Sequence, residues 1–514
     1  MVVAIRDGGR AAASIPASAI VVGLLSLAPL VVAACIDHGL LFDDQLISLT
    51  YAKNLARGDG FVFNHPPAVL GTTTPLFAMM VALLSIVLPF SLPVIAVASS
   101  AVAWSGLVCL PFVFRRSLDL TDWEAVLVGA VLMVTGWPDA LGMETYVFLF
   151  FLFLAFGLHS GGASFAAGFV LGLLFLCRGE GALAFGLVFG SALLGRVSPR
   201  IAEATFGRAI DERAWMAVGT GFAIPMGLWC AYALPTFGVA LPNTLAAKQV
   251  QAATGLWTPF HVELLRTWLR EWMSPLAVPS YPWAGLWAPC VLLGLYEMAR
   301  RRPRWRLFVL WLVVYVAGYS LLRVSAYHWY ARPAYVILAI AFALGVYRLC
   351  EIFVGDRVAH SWRFVLAVFV ACGILFRLGM ALPRMIAGQR TDSRAGMYVE
   401  MTRWLSQYAS SDESIASIEV GALGFYTDLR VIDLVGLVTP ESLIGVSRGD
   451  FGAIFWRTQP DYLVYHPRGW MFFRRIVGHP DFVGLYEPVL HLNEAKYEIR
   501  LFRRRRAPDP AGIR

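Results

Sequence analysis

The chain has 514 residues, of which 58% are hydrophobic and only 15% charged, with a mean hydropathy of +0.65. A soluble domain carries about 25% charged residues, so composition excludes a single large water-soluble fold. The net charge of +8 does not point to nucleic acid, because the arginines sit in short loops between long apolar runs, the pattern that orients membrane helices. The seven cysteines form no CxxC pair and no metal-ligand spacing, and they read as small buried hydrophobes.

A helix needs about 20 apolar residues to cross the hydrocarbon layer. The first apolar run, 15–36, is too long for a signal-peptide core, lacks a convincing cleavage site and reads as a retained anchor. Further candidate spans follow at 73–90, 93–114, 145–159, 163–177, 181–195, 214–234, 283–299, 307–325, 333–353 and 362–382, about eleven in all. Three basic loops set the orientation: Arg196 to Arg213, Arg300 to Arg306, and Arg348 to Arg363. Placing them in the cytoplasm leaves the N-terminus cytoplasmic and 37–72, 136–144, 178–180, 235–282 and 326–332 outside. The 13 apolar residues at 123–135, preceded by Arg115 and Arg116, fit either a span or a re-entrant segment. On both readings an even number of crossings separates residue 43 from residue 144.

After Leu382 the pattern changes. Residues 384–514 contain a helical stretch, Met397–Tyr408, then strand-like pieces at Ser414–Glu419, Leu429–Leu434, Asp461–Tyr465 and Tyr497–Phe502. The expected organisation is a membrane module, 1–383, followed by one extracytoplasmic α/β domain, 384–514.

The outer loops carry the polar chemistry. Asp43 and Asp44 directly follow the first span and open a helical pattern in which Ile47, Tyr51 and Leu55 form a stripe. A carboxylate at the membrane boundary costs several kcal/mol to bury unpaired, which marks it as a candidate functional group; capping the helix is the plainer role for the same pair. The loop continues through Arg57-Gly58-Asp59-Gly60-Phe61-Val62-Phe63-Asn64 to Gly71-Thr72-Thr73-Thr74-Pro75-Leu76. Gly142-Met143-Glu144-Thr145, Arg178-Gly179-Glu180-Gly181, Pro242-Asn243-Thr244 with Lys248, and His328-Trp329-Tyr330-Ala331-Arg332 recur on the same deduced side.

This series resembles the lipid-dependent glycosyltransferases with the GT-C fold, above all the terminal arabinofuranosyltransferases of the mycobacterial cell wall and their bacterial relatives. Gly179 stands where the family usually has Pro, and Tyr330 where Arg is common. In the tail, Gly421 to Tyr426 followed by Ile432 to Leu437 is similar to the family's soluble-domain strand signature. The resemblance implies a polytopic α-helical membrane protein of the bacterial cytoplasmic membrane. It would move a sugar from a polyprenyl-phosphate donor to a glycan or lipid acceptor outside. It further implies Asp43 as general base, with Asp44 beside it on acceptor or donor hydroxyls or itself taking part directly in its place. Lys248 and Arg332 are the expected phosphate contacts, and snorkelling toward lipid headgroups is their alternative role. His328, Asn243, Thr244, Glu144, Arg178 and Glu180 are candidate donor-site residues; an Arg178–Glu180 pair, a turn at Asn243 and a helix start at Glu144 are the structural alternatives.

Arabinofuranose follows from the likeness alone, and the residues leave mannose, other hexoses and amino sugars open. No cofactor is identified and dependence on a divalent cation stays open, since Asp43-Asp44 by itself is a weak divalent-ion signal. A secondary transporter also suits about eleven spans, but it would place acids near mid-membrane and show internal repeats. A non-catalytic glycan-binding membrane protein is the third class.

Overall fold

The computed structural model describes residues 17–34, 41–64, 68–135, 140–273, 282–324, 327–353, 394–494 and 497–505. The expected span 362–382 and the boundary at 383/384 lie outside them. Helices α1 (Ala17–Leu25) and α2 (Ala28–Ala34) precede α3 (Asp43–Arg57), α4 (Pro75–Val87), α5 (Leu92–Val113) and α6 (Asp122–Thr135). Then come α7 (Thr145–Ser160), α8 (Ser164–Cys177), α9 (Gly181–Val197), α10 (Pro199–Phe206), α11 (Ala214–Phe237), α12 (Thr244–Ala253), α13 (Phe260–Met273), α14 (Pro282–Tyr296) and α15 (Arg306–Leu322). The last of the bundle is α16 (Trp329–Phe353). Four described helices, α5, α11, α15 with its leading turn, and α16, are long and apolar enough to cross a membrane, and five shorter apolar helices accompany them.

Side-chain contacts define two ends of this bundle. At one, the Gln45 amide donates to Leu141 O (2.7 Å) and the Ser100 hydroxyl to Met143 O (2.6 Å). At the other, Arg302 pairs with Glu124, Arg304 with Asp119 (3.2 Å), and Trp305 Nε1 donates to Leu118 O (2.7 Å). The 16 residues of α7, about 24 Å long, separate the two: Thr145 follows Glu144 at the first end, while Gly157 lies against Phe114 near the second. The 123–135 stretch, inside α6, therefore leads from one end of the bundle to the other. The 73–90 segment, expected to span, behaves differently. It begins at Thr74, hydrogen-bonded to Ser48 at the first end, and α5 sets out from that same end, so α4 makes no complete crossing.

The C-terminal domain comprises α17 (Arg394–Tyr408), β1 (Ser414–Ser417), α18 (Gly421–Tyr426), β2 (Arg430–Asp433), α19 (Leu443–Ser447), α20 (Ala453–Thr458), β3 (Tyr462–Tyr465), α21 (Trp470–Val477), α22 (Phe482–Leu485), β4 (Tyr486–Glu494) and β5 (Tyr497–Arg504). Its sheet runs β2-β1-β3-β5-β4, with β1 parallel to β2 and β3 and the remaining pairs antiparallel. Two expectations are corrected. Gly421–Tyr426, likened to a strand, is a helix, and β4 completes the sheet at an unexpected edge.

The helix forms there because α3 caps it at both ends. Asp43 accepts the amides of Val420 (3.0 Å) and Ala422 (2.8 Å), while Lys53 Nζ donates to the carbonyls of Gly424 (2.8 Å), Phe425 (3.0 Å) and Thr427 (3.2 Å). These are the orphan donors and acceptors of a short helix, met by opposite charges that suit its dipole. Gly421 is required: a Cβ there would come within 1.8 Å of Asp43 O. Asn64 adds a two-way pairing with Val431 (2.8 and 3.0 Å) at the outer edge of β2. Lys53→Met leaves buried carbonyls without a donor and should weaken docking by about 2 kcal/mol, read as faster proteolysis between the two parts. Removing Arg57, whose pair with Asp428 (2.9 Å) is half in solvent, should change docking by under about 1 kcal/mol.

Candidate active site

A cavity of about 700 Å³ opens where the first end of the bundle meets the C-terminal domain. Asp43 and Asp44 line it together with Thr244, Lys248 and Glu144, so residues up to two hundred positions apart converge. The two aspartates face different surroundings. Asp43 is held by the two amides of the 420–422 segment, and burial, with Glu419 nearby, raises its carboxyl to about 7. Asp44 is exposed to the cavity.

Thr244 and Lys248 lie one turn apart on α12 and therefore share a face. Thr244 Oγ1 is buried without a hydrogen-bond partner among the described residues. Lys248 Nζ sits 4.6 Å from the Tyr330 ring centroid and 5.9 Å from that of Tyr327. It makes no salt bridge or hydrogen bond among the described residues. Burial lowers the ammonium to about 8, against the pull of Asp44, so it stays mostly charged at neutral pH. Tyr327 and Trp329 stack at 4.8 Å, and Trp257 Nε1 donates to Tyr327 OH (3.2 Å), which fixes this aromatic wall.

Arg178 is committed elsewhere. Its guanidinium, 2% exposed, donates to Glu180 (3.0 and 2.7 Å) and Glu144 (3.3 Å), and Tyr319 OH donates to the same Glu180 oxygen. Arg178 and Glu180 do not line the cavity, and of this cluster only Glu144 does; burial raises its carboxyl, with Arg178 opposing. Asn243 is also turned away, its amide donating to Gly436 O (3.2 Å) as part of domain docking. Arg332 is buried at the start of α16 and is not a lining residue. The His328 side chain lies outside the described residues, as do those of Trp268, Trp272, Tyr281, Trp283 and Trp287.

The C-terminal domain supplies lining residues that motif reading did not single out: Arg394, Tyr398, Glu419 and Tyr497. Asp433, which also lines the cavity, accepts the amides of Val435 (2.8 Å), Leu437 and Val438 (2.9 Å) and so shapes its own turn. Among the described residues, no three His, Cys, Asp or Glu side chains converge as a metal site. The arrangement sets the Lys248 ammonium and the Asp43 and Asp44 carboxylates around one cavity, group types that proton removal and phosphate departure would need.

The two cations should respond oppositely to neutralisation. Arg178→Met strips a buried charge cluster of its only cation and should cost about 3–5 kcal/mol. Lys248→Met removes a charge without an ion pair and should leave the melting temperature unchanged or higher.

Residues 384–507 match a family described as a domain of unknown function, DUF8728. No curated protein matches the chain. As a whole the fold is similar to that of ArnT from Cupriavidus metallidurans. The structure with undecaprenyl phosphate bound superposes with a TM-score of 0.54 at 14% identity, covering 95% of this chain and 98% of that one. The apo structure gives a TM-score of 0.58 with the same identity and coverage. The chain thus has an ArnT-like membrane fold, mostly helical with a small C-terminal sheet.

Proposed function

We propose that this chain is a membrane glycosyltransferase that moves a sugar from a polyprenyl-phosphate donor to a hydroxyl of a glycan or lipid acceptor. The reaction would run on the extracytoplasmic side of a bacterial cytoplasmic membrane, with the N-terminus in the cytoplasm and the 384–514 domain outside. The observation that carries this reading is Lys248, a partly buried ammonium without an ion pair among the described residues, facing the same cavity as Asp43 and Asp44. The ArnT-like fold supports it, since one ArnT structure holds undecaprenyl phosphate. A cavity at one end of the bundle, roofed by a separate domain, argues against transport through mid-membrane.

In this mechanism the donor phosphate sits against Lys248, with the Thr244 hydroxyl as a second donor. Asp43 accepts the proton of the acceptor hydroxyl. The new bond forms between that oxygen and the anomeric carbon as the bond from that carbon to the phosphate oxygen breaks. Polyprenyl phosphate leaves with the bonding pair, and Lys248 meets the developing charge. A carboxyl of about 7 suits a base at neutral pH. Asp44 would bind sugar hydroxyls. Its exposure favours a second reading in which it is the base and Asp43 only anchors the roof. Polyprenyl-phosphate arabinofuranose is the first donor to test, because the sequence likeness is closest to arabinofuranosyltransferases.

With purified protein and a panel of polyprenyl-phosphate sugars, Lys248→Met should lower kcat/KM by about 10²–10³-fold. A base must be unprotonated, so transfer should climb as pH rises through about 7. Asp43→Asn should abolish transfer while Asp44→Asn retains part of it; the opposite result moves the base to Asp44. Since an Asn at 43 turns one acceptor into a donor facing an amide, proteolytic resistance must be measured beside activity. Absence of transfer from every donor in the panel would remove the proposal.

A further inference from the structure

The C-terminal domain brings a carboxylate of its own to Asp43. Glu419 lines the cavity in the turn after β1 and directly precedes the segment whose amides, Val420 and Ala422, hold the two Asp43 oxygens. Arg394 of α17 pairs with its carboxylate, and His466 Nε2, just past β3, lies 4.0 Å away. We propose that Glu419 is a positioning residue for the transfer reaction, contributed by the C-terminal domain and acting through Asp43. This rests on Asp43 being the base.

The physical argument is one of charge and constraint. The backbone that follows Glu419 orients the Asp43 carboxylate, and the Glu419 anion disfavours a second negative charge beside it. Burial is the larger cause of Asp43's raised proton affinity and Glu419 the next. The other groups around Asp43 leave this effect standing. Neither α4 nor α5 carries an acidic or basic residue. α3 adds Asp44, α18 adds Tyr426, and α17 adds Tyr398, whose hydroxyl shares a 2.9 Å hydrogen bond with His466. Burial and Arg394 hold His466 down at about 4, so it is neutral at working pH and cannot screen Glu419. Among the described cations, Arg394 pairs directly with Glu419 and offsets it in part, Lys248 of α12 faces the same cavity, and Lys53 and Arg57 of α3 are turned to the far end of α18 and to Asp428. On this account the domain matched only as one of unknown function completes the active site.

The test uses the full-length protein and two readouts. Infrared pH titration follows the protonated-carboxyl band that disappears in Asp43→Asn, and donor turnover is measured over the same pH range. The native midpoint should lie at about 7. Glu419→Gln should lower that midpoint, and the acid limb of the rate profile, by about one pH unit, while Glu419→Asp, which keeps the charge, should leave both nearly in place. Should Glu419→Gln fail to fold, a Glu419→Asp profile displaced as far as that of Arg394→Met would overturn the proposal, since charge at 419 would then not control the limb. Glu419→Gln with both midpoint and limb unmoved also overturns it. A native protein that turns over no donor removes the transferase reading, and the infrared midpoint then decides separately whether Glu419 acts on Asp43.

Discussion

The structure turns on the carboxylate of Asp43, which accepts two backbone amides from a domain that begins more than three hundred residues later. One charged acceptor taking two N–H donors in a water-poor joint is a strong, directional contact. It fixes where the C-terminal domain sits, and thereby closes the cavity over Asp44 and Lys248. Lys53, ten residues on along the same helix, holds the other end of α18. A single 15-residue helix, α3, thus serves as floor of the cavity and anchor of its roof.

Two cations, Arg178 buried and Lys248 partly buried, differ in how their charges are met. Arg178 is compensated by two glutamates and a tyrosine, so its charge is spent inside the scaffold. Lys248 has only tyrosine faces beneath it and acidic groups at longer range. A ring face steadies an ammonium by a kcal/mol or two at most when desolvated, well short of what burying an ion costs. An incoming phosphate would relieve that deficit. The compensated cluster next to it keeps the aromatic wall in place, because Arg178 also lies 5.1 Å from the Tyr330 ring centroid on which Lys248 rests.

Much of the scaffold was legible because hydropathy and arginine placement are local signals. Helices α5, α11, α15 and α16 follow from apolar run length alone. α4 did not, since an apolar run that leaves one end of a bundle and returns to it reads like one that crosses it. β4 was hidden by its position: an edge strand tolerates Pro488 and an irregular register at Pro488/Leu490. Gly421–Tyr426, likened to part of a family strand signature, carried no helix signal of its own because both caps come from α3. At the site, Asp43, Asp44, Thr244, Lys248 and Glu144 were nominated by motif and do line one cavity. Arg178, Glu180 and Asn243 carry the same motif signal yet point into packing or docking, a distinction that only partners in space can draw. Arg394 and Glu419 had no local signal at all, since their meaning comes from docking against α3.

Placing a carboxylate at a joint between domains has a chemical consequence. A carboxylate alone in water would be ionised and weakly basic at neutral pH, and burial alone would raise its proton affinity without choosing a direction for its lone pairs. The 419–422 segment does both with one stretch of chain: two amides hold the plane of the carboxylate, and the preceding Glu419 opposes its charge. The amides favour the ionised form and the burial and Glu419 oppose it, so the value near 7 is a balance and not an extreme. Moving the domain away would release the amides, admit water and withdraw Glu419 together. The raised proton affinity of Asp43 and the seating of the roof are therefore the same structural event.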